Sequence, residues 1–305
     1  MLPRTPVFSG VWLPLVTPFR DGELDEVSLR RLVAHYAGQR IDGLILAATT
    51  GEGLTLDAAE TERLVAVAAD EGRARLPLWL GLCGSDTRRM ARALDATASW
   101  PVDGYLVACP YYSRPSQAGL HAHFTALAGC TERPIAIYNI PYRTGVNMTN
   151  DTLLDLARLS NVVGLKDCCA DAAQSFDMLC RRPGGFGVLT GEDALLFGAV
   201  AQGADGGVTA SAHIETAEWI AVRGLLLAGD RPGALARWQA LEPLARMLFA
   251  EPSPAAIKHW LWRAGLIASP ELRLPMTGVS DALAARIDAE MARRGAVGEI
   301  GRAHV

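Results

Sequence analysis

Lys166 ends a short apolar run, and its position suggests chemistry. The surrounding segment, NVVGLKDCCAD (161–171), passes from strand-like residues directly into charged and small side chains. A lysine at such a place is often a solvated charge at the rim of a fold. If it is buried instead, its neutral amine can condense with a ketone to form a Schiff base. The cationic nitrogen of that base draws electrons from the adjacent carbon and allows an enamine to form.

The amine of Lys166 would need a large pKa shift to react near neutral pH. Lysine in water has a pKa near 10.4, and lowering it to about 7 or 8 requires the ammonium form to be destabilised by roughly 4 kcal/mol. Burial shifts the pKa in that direction. Asp167 would oppose the shift, but neighbouring residues of a strand face opposite sides. Lys166 is therefore expected to be the only charge that points inward.

Other strand-like runs also end in reactive groups. These ends are TTGEG (49–53), CPYYSRPS (109–116), YNIPYRTG (138–145) and TGED (190–193). Hydroxyl groups and phenols can transfer protons near a Schiff base, and the guanidinium of Arg143 can hold a carboxylate at two points. The chain has no GxSxG elbow and no clear carboxylate cluster for a divalent metal at these ends. The residue types therefore favour carbonyl chemistry over hydrolysis.

Eight short apolar runs alternate with helical patterns along the chain. The predicted strands are 11–16, 44–48, 78–82, 105–108, 135–139, 162–166, 186–190 and 206–210. Their lack of polar alternation fits a parallel sheet covered on both faces. No GxGxxG follows the first run and no GxxxxGK[ST] occurs, which disfavours an open nucleotide-binding sheet. We therefore predict an α/β protein, a (β/α)8 TIM barrel whose site lies at the C-terminal ends of the strands.

Helical patterns continue beyond the eighth predicted helix without a linker rich in Gly, Pro or Ser. We therefore predict a catalytic barrel over residues 1–224 and a C-terminal helical extension over residues 225–305 that packs on it. The polar tail 298–305 is predicted to be mobile. The predicted helix N-caps are Asp57, with Glu60 completing a capping box, Asp86 and Asn150.

The composition describes an ordinary globular chain. Half of the 305 residues are hydrophobic, a fifth are charged, and the net charge is −4, so neither nucleic acid nor an anionic membrane is an expected partner. No apolar run approaches the roughly 18 residues of a membrane helix, and prolines interrupt the N-terminal segment where a signal peptide would be continuous. A cytoplasmic location is predicted. The six cysteines form no CxxC pair, which predicts reduced, mostly buried thiols and no bound metal.

Motifs spread over nearly the whole chain carry a specific resemblance. They are VTPF, TTGEG, PYYSRPSQAGL, YNIPYRTG, VVGLKD, TGED, EPSPAAIKHWL and LRLPM. In these motifs the sequence resembles the dihydrodipicolinate synthase and N-acetylneuraminate lyase family of pyruvate-dependent class I aldolases, and in particular its synthase branch.

The resemblance implies roles for the catalytic groups. Lys166 would form the Schiff base with pyruvate, and Thr49 and Thr50 would hold the pyruvate carboxylate. Tyr138 would be the general acid and base, linked through Thr49 to Tyr112, which in this family reaches in from a neighbouring subunit. The family therefore implies a homodimer or homotetramer.

The resemblance also implies how the second substrate binds. Arg143 would bind the carboxylate of an aldehyde, and the backbone around Gly191 and Val208 would line the pocket. The implied reaction condenses pyruvate with L-aspartate 4-semialdehyde to 4-hydroxy-tetrahydrodipicolinate, in lysine biosynthesis, without a metal or organic cofactor.

Several residues depart from the synthase pattern. Tyr142 stands where synthases usually carry a small residue, Ala48 where glycine is common, and His213 where asparagine is often found, while KDCCAD (166–171) replaces a KEATG-type segment. These changes leave open a sister pyruvate aldolase or dehydratase that acts on a sugar acid or another carboxylated aldehyde. A barrel that has lost catalysis and serves as a binding or regulatory protein is a third reading.

The resemblance also allows a prediction about regulation. Lysine-inhibited members use side chains at the positions of Ala58, Thr61, Ser85 and Arg89, and inhibitable enzymes carry a glutamate at the last of these. A cation at Arg89 repels the ammonium group of lysine. We therefore predict weak or no inhibition by lysine.

Overall fold

A computed structural model describes residues 7–72 and 76–295 of the chain. Eight parallel strands close into one barrel, because β1 pairs with both β2 and β8. The strands are β1 (Gly10–Pro14), β2 (Gly43–Leu46), β3 (Leu78–Leu82), β4 (Gly104–Ala108), β5 (Ile135–Asn139), β6 (Val162–Asp167), β7 (Gly187–Thr190) and β8 (Gly206–Val208). The predicted TIM barrel is confirmed, and each of the eight predicted strands is present.

Helices follow the strands and cover the outside of the barrel. They are α1 (Glu26–Ala37), α2 (Ala58–Gly72), α3 (Thr87–Ala96), α4 (Gln117–Ala128), α5 (Asn150–Leu156), α6 (Ala172–Arg181), α7 (Leu196–Ala201) and α8 (Thr216–Leu227). Three further helices form the C-terminal extension: α9 (Arg231–Leu248), α10 (Ala255–Arg263) and α11 (Asp281–Arg293). Helix α8 runs across the proposed boundary at residue 224, and the tail 298–305 lies outside the described residues.

The ends of the strands differ from their predicted positions for local reasons. β2 stops at Leu46 because Ala47 adopts a left-handed conformation with φ of 51°, which an extended strand cannot contain. The chain then turns back so closely that a Cβ on Gly53 would lie 1.8 Å from the backbone oxygen of Ala47. Glycine is therefore required at this turn, which carries Thr49 and Thr50.

Two of the three predicted helix caps are confirmed. Asp57 and Glu60 exchange hydrogen bonds between side chain and backbone N–H, and Asp86 accepts from two backbone N–H groups at the start of α3. The cap predicted at Asn150 is wrong, because α5 is preceded by Thr149 and Asn150 is its first residue. The amide of Asn150 instead donates to the backbone oxygen of Gln174 and to Asp177.

Large aromatic side chains fill the part of the barrel interior that lies towards the beginnings of the strands. Phe8 stacks on Trp79 with ring centroids 5.0 Å apart, and Trp12 contacts both rings. All three are buried, so this end of the barrel is closed by apolar packing. The predicted site residues lie at or follow the opposite, C-terminal ends of the strands.

The cysteines are less buried than predicted. All six are free thiols, but only Cys109 and Cys168 are buried, whereas Cys83, Cys130 and Cys180 are exposed. The expectation of mostly buried thiols is therefore wrong, because the last three lie in a strand-following loop, a helix-following turn and the outer part of α6. Among residues 7–72 and 76–295, no helix is both long and apolar enough to cross a membrane.

Candidate active site

Lys166 and Tyr138 lie side by side because of the register of β5 and β6. The two strands pair in parallel with Tyr138 opposite Lys166. Both side chains point into the barrel, where Lys166 is 6 % and Tyr138 is 7 % exposed. The Lys166 Nζ lies 4.1 Å from the centroid of the Tyr138 ring. The strand register thus places an amine against a phenol in a nearly dry pocket.

Burial lowers the pKa of Lys166 below its ordinary value. Removal from water is the largest cause, and the charge of Arg143 acts in the same direction. Cys168, Asp193 and Glu192 act in the opposite direction, but they do not outweigh the desolvation. At a given pH, a larger fraction of Lys166 is therefore in the neutral, nucleophilic form than of a surface lysine.

The carboxylates of Asp167 and Asp193 point in different directions relative to the barrel interior. Asp167 points away from the barrel interior, as predicted, and accepts hydrogen bonds from Ser175 Oγ at 2.5 Å and from the backbone N–H of Cys169 at 3.0 Å. Asp193, however, lines the same cavity as Lys166. The expectation that Lys166 is the only inward charge is therefore wrong.

Asp193 connects the loops that follow β7 and β8. Its carboxylate accepts hydrogen bonds from the backbone N–H groups of Ala210 at 3.2 Å and Ser211 at 2.5 Å. Burial raises the pKa of Asp193 to about 6, although these hydrogen bonds oppose the rise. The TGED motif could have identified this residue, since Asp193 stands next to a strand end.

One cavity at the C-terminal mouth brings together seven of the eight predicted site residues. They are Thr49, Thr50, Tyr138, Arg143, Lys166, Gly191 and Val208. The cavity adjoins a wider one of about 680 Å³ and shares several lining residues with it, including Tyr142 and Arg143. Residues from five different strand ends therefore converge, as a parallel barrel requires.

Tyr138 and the neighbouring Cys168 are both held in their protonated forms. Burial raises the pKa of the Tyr138 hydroxyl, and the nearby Cys168 thiol adds to the rise. Burial likewise raises the pKa of Cys168. Gly191 makes room for this arrangement, because a Cβ there would lie 2.4 Å from both Cys168 Sγ and Lys166 Cε. Sequence reasoning missed Cys168, although it stands two residues after Lys166.

The turn at Thr49 and Thr50 presents groups that suit an anion. The backbone N–H groups of both residues donate no hydrogen bond to the rest of the described chain. Both side chains line the cavity that contains Lys166. Free N–H groups and hydroxyls next to a reactive amine fit the carboxylate of a small 2-oxo acid.

Arg143 lies at the mouth of the cavity on one helical turn, Pro141–Thr144. Its guanidinium is exposed, lies 5.8 Å from the Tyr142 ring centroid, and pairs with no carboxylate of the described residues. The Tyr142 hydroxyl donates a hydrogen bond of 2.9 Å to Glu192. Arg143 is therefore available to an anionic ligand, while Tyr142 is held beside the entrance.

Tyr112 is the one predicted site residue that the single chain does not bring into the cavity. Its side chain is 93 % exposed, and its backbone has φ of 68°. A bulky residue rarely adopts this conformation, and the hydrogen bond from its N–H to the Thr144 oxygen, 3.0 Å long, helps to maintain it. Tyr112 is thus directed away from its own barrel.

Two lining residues come from the C-terminal extension and were not among the predicted site residues, although Ser253 lies in the EPSPAAIKHWL motif. Phe249 follows α9 and Ser253 precedes α10, and both line the inner cavity. The Ser253 hydroxyl is buried and makes no hydrogen bond within the described part of the chain. A buried hydroxyl without a partner at a cavity is available to a ligand. In the same described ranges, no group of three or more His, Cys, Asp or Glu could hold a metal ion.

The fold and the site define a class of protein: (β/α)8 barrels that place a desolvated lysine among hydroxyl groups at the C-terminal mouth. The model of the dihydrodipicolinate synthetase family matches residues 7–292, and the chain belongs to this family.

Similar proteins agree with this assignment. The chain is 39 % identical over 279 residues to 4-hydroxy-tetrahydrodipicolinate synthase 2 of Clostridium acetobutylicum. The aligned residues cover 92 % of this chain and 98 % of that protein. It is 30 % identical to the dihydrodipicolinate synthase of Acinetobacter baumannii, solved with pyruvate, with a TM-score of 0.90 over 95 % of this chain and 99 % of that one. The corresponding enzyme of Cyanidioschyzon merolae, solved with lysine bound, is 30 % identical with a TM-score of 0.91 over 96 % of this chain and 100 % of that one.

Proposed function

We propose that this protein is a 4-hydroxy-tetrahydrodipicolinate synthase, a lyase of the class I Schiff-base type that condenses pyruvate with L-aspartate 4-semialdehyde. The observation that carries the proposal is the buried Lys166 amine, 4.1 Å from the centroid of the Tyr138 ring, at the C-terminal mouth of the barrel. The name of the Clostridium acetobutylicum relative and the pyruvate in the Acinetobacter baumannii structure support it.

The residues of the cavity fit the successive steps of this reaction. The Lys166 amine attacks the keto carbon of pyruvate, whose carboxylate is held by Thr49 and Thr50, and water leaves as the Schiff base forms. Tyr138 supplies the proton for that departing water and later receives one. Loss of a methyl proton gives the enamine, which attacks the aldehyde carbon of the second substrate. Closure of the ring by the substrate amine then releases Lys166.

Arg143 would select a carboxylated acceptor, and Gly191 and Val208 would shape the pocket around it. We propose that the reaction needs no metal or organic cofactor, because the amine itself acts as the electron sink after condensation. We also propose a homodimer or homotetramer in the cytoplasm, with Tyr112 of one subunit completing the site of another. We also propose that the chain divides into a catalytic barrel (1–224) and a C-terminal extension (225–305).

A direct test supplies the purified protein with pyruvate and L-aspartate 4-semialdehyde and follows the cyclic product by mass spectrometry. Turnover is expected, and Arg143→Ala is expected to raise KM for the aldehyde much more than KM for pyruvate, because only the aldehyde carboxylate would lose its partner. Arg246→Ala is a matched control, since Arg246 lines only the wider cavity. No product, from protein that still forms a pyruvate adduct, would exclude this acceptor.

A second candidate is a sister pyruvate aldolase or dehydratase that acts on a sugar acid or another carboxylated aldehyde. The hydrogen bond between Tyr142 and Glu192 favours it, because it places a phenol and a carboxylate beside Arg143, where hydroxyl groups of a sugar acid could bind. Comparing kcat/KM for L-aspartate 4-semialdehyde and for sugar-acid aldehydes separates the candidates. A preference for the polyhydroxylated acceptor that is lost in Tyr142→Ser would establish the second.

Replacing Tyr112 with phenylalanine is expected to lower kcat by about 10- to 100-fold without unfolding the protein. The variant loses only a hydroxyl that would carry protons to Tyr138 indirectly, through Thr49, so its effect is expected at or below the lower end of the range of about 10²- to 10⁴-fold for a proton-transfer group. The measurement is steady-state kinetics together with the oligomeric state. Tyr111→Phe, at the adjacent and less exposed tyrosine, is the control. Unchanged turnover in Tyr112→Phe would remove this residue from the relay.

Lysine is expected to inhibit the protein weakly or not at all. Arg89 is exposed, and its ion-pair partner Asp86 lies 3.7 Å away. By the resemblance, Arg89 stands where lysine-inhibited members carry a glutamate, so its charge would repel the ammonium group of lysine. Titrating lysine into the assay checks the prediction, and Arg89→Glu is expected to increase the inhibition. A submillimolar inhibition constant for the unaltered protein would refute it.

A further inference from the structure

A buried ion pair joins the C-terminal extension to the turn that carries Thr49 and Thr50. Lys258 lies in α10 and is completely buried, and its Nζ donates a hydrogen bond of 2.5 Å to Glu52 Oε1. Glu52 lies two residues after Thr50 and is 4 % exposed. Charges removed from water in this way are retained only with close pairing and further hydrogen bonds, because desolvation otherwise outweighs their attraction. The pair therefore forms a specific connection across the fold.

Both partners of this pair make additional contacts. Lys258 Nζ also donates to the backbone oxygen of Glu271 at 2.6 Å and lies 4.5 Å from the centroid of the Phe19 ring. The second carboxylate oxygen of Glu52 accepts a hydrogen bond of 3.0 Å from the backbone N–H of Arg273. Both oxygens of Glu52 are therefore held by residues of the extension.

Arg273 holds the far end of the same turn. Its guanidinium donates to the backbone oxygen of Thr55 at 3.0 Å, forms an ion pair with Glu60 and lies 4.3 Å from the centroid of the Phe19 ring. Its contacts thus continue from Glu52 to the start of α2. The extension therefore contacts the segment that follows β2 through several hydrogen bonds and ion pairs.

The turn itself has a conformation that needs outside support. Glu52 has φ of 51°, in the left-handed region, and its N–H donates to the Thr49 oxygen at 3.1 Å. A residue other than glycine keeps such a conformation when its surroundings hold it there. The orientation of Thr49 and Thr50 therefore depends on how Glu52 is anchored.

We propose that Lys258 and Arg273 are positioning residues for pyruvate: through Glu52 they hold the Thr49 and Thr50 turn in the geometry that binds the pyruvate carboxylate. The inference rests on the proposed function, which assigns that carboxylate to the two threonines. It gives the C-terminal extension a part in substrate binding at the mouth of the barrel, although neither Lys258 nor Arg273 lines the cavity. A small displacement of a binding group can reduce the rate by up to about 100-fold.

The test replaces Lys258 with methionine, which keeps an unbranched side chain and removes the charge. Because this variant leaves Glu52 buried without its partner, the double variant Glu52→Gln with Lys258→Met is made beside it and contains no unpaired charge. Both variants are expected to need about 10- to 100-fold more pyruvate for half-maximal borohydride trapping on Lys166, and to show the same rise in KM for pyruvate. KM for the aldehyde and the maximal trapped fraction are expected to stay within twofold of the parent.

Arg294→Met is the matched control. Arg294 belongs to the extension and pairs with Glu215 at the start of α8, far in the chain from the Thr49 turn. The control removes one ion pair between extension and barrel and is expected to leave the pyruvate requirement unchanged. Circular dichroism and thermal melting establish that each variant is folded.

The outcomes separate this inference from the proposed function. If the parent traps pyruvate on Lys166 and both Lys258 variants need the same pyruvate concentration as the parent for half-maximal trapping, the positioning role is wrong and the proposed function stands. If KM for pyruvate and KM for the aldehyde rise together in the Lys258 variants, the extension acts only by general stabilisation and the inference is overturned. The same conclusion follows if Arg294→Met raises the pyruvate requirement equally. If the parent itself traps no pyruvate, the proposed function fails, and the inference fails with it.

Discussion

Replacing Lys166 with methionine is expected to abolish the borohydride-trapped pyruvate adduct and to lower kcat by on the order of 10³-fold, the scale of losing one well-placed catalytic group. Methionine is similar in length but has no amine, so the covalent step is lost while the packing of the pocket is retained. Intact mass and peptide mapping after reduction with pyruvate check the adduct. The parent protein is expected to gain it at Lys166.

The same substitution has a second expected consequence, for stability. Burial lowers the pKa of Lys166, so the folded protein carries an unfavourable ammonium group at pH values below that lowered pKa. A lysine whose folded-state pKa lies below its unfolded-state pKa makes the folded protein less stable as the pH falls through that interval. Lys166→Met is therefore expected to melt at or above the temperature of the parent at neutral pH.

The pH dependence of adduct formation follows from the same pKa shift. The neutral amine is the nucleophile, so the rate of adduct formation is expected to rise with pH and to level off below the ordinary lysine value of 10.5. An adduct that persists in Lys166→Met would assign the Schiff base to another lysine. Lys258 is then the residue to examine, because it is also buried.

Replacing Tyr138 with phenylalanine is expected to lower kcat by about 10²- to 10⁴-fold while the pyruvate adduct still forms slowly at Lys166. The ring that packs beside the lysine remains, but the proton donor and acceptor is lost. Steady-state kinetics and borohydride trapping with time check the two parts of this expectation. The variant therefore distinguishes proton transfer from covalent capture.

Tyr36→Phe provides a matched control for the loss of a buried tyrosine hydroxyl. Tyr36 is completely buried, and its hydroxyl donates to the backbone oxygen of His213 at 2.9 Å, outside the cavity. This variant is expected to melt at a lower temperature with little change in kcat. Equal losses of kcat in Tyr36→Phe and Tyr138→Phe would show that the Tyr138 hydroxyl acts through stability and not through proton transfer.

The prediction of the fold from sequence succeeded because the signals were local. Short apolar runs separated by helical patterns are the direct consequence of strands covered on both faces, and the eight runs correspond to the eight strands of the barrel. The placement of Lys166 and Tyr138 followed from the same signals. Each lies at or next to the end of a predicted run, and the C-terminal ends of parallel strands in a barrel meet at one mouth.

Two of the wrong expectations depended on contacts between distant segments. Asp193 was not expected to face inward, but its carboxylate turns towards the loop after β8, where two backbone N–H groups bind it. The cap at Asn150 was wrong because its amide finds partners on α6. In both cases a side chain was oriented by an element that lies elsewhere in the sequence.

The sequence by itself determined the barrel, the order of its strands and the chemistry of the residues near their C-terminal ends, because periodicity and residue type are properties of neighbouring positions. Only the tertiary structure decided which extension residues reach the cavity, that Tyr112 turns away from its own barrel, and that Lys258 reaches Glu52 from 206 positions along the chain. These features depend on how the extension folds back over the barrel. Such packing is a balance of burial, ion pairing and backbone strain between distant segments, and no local pattern records it.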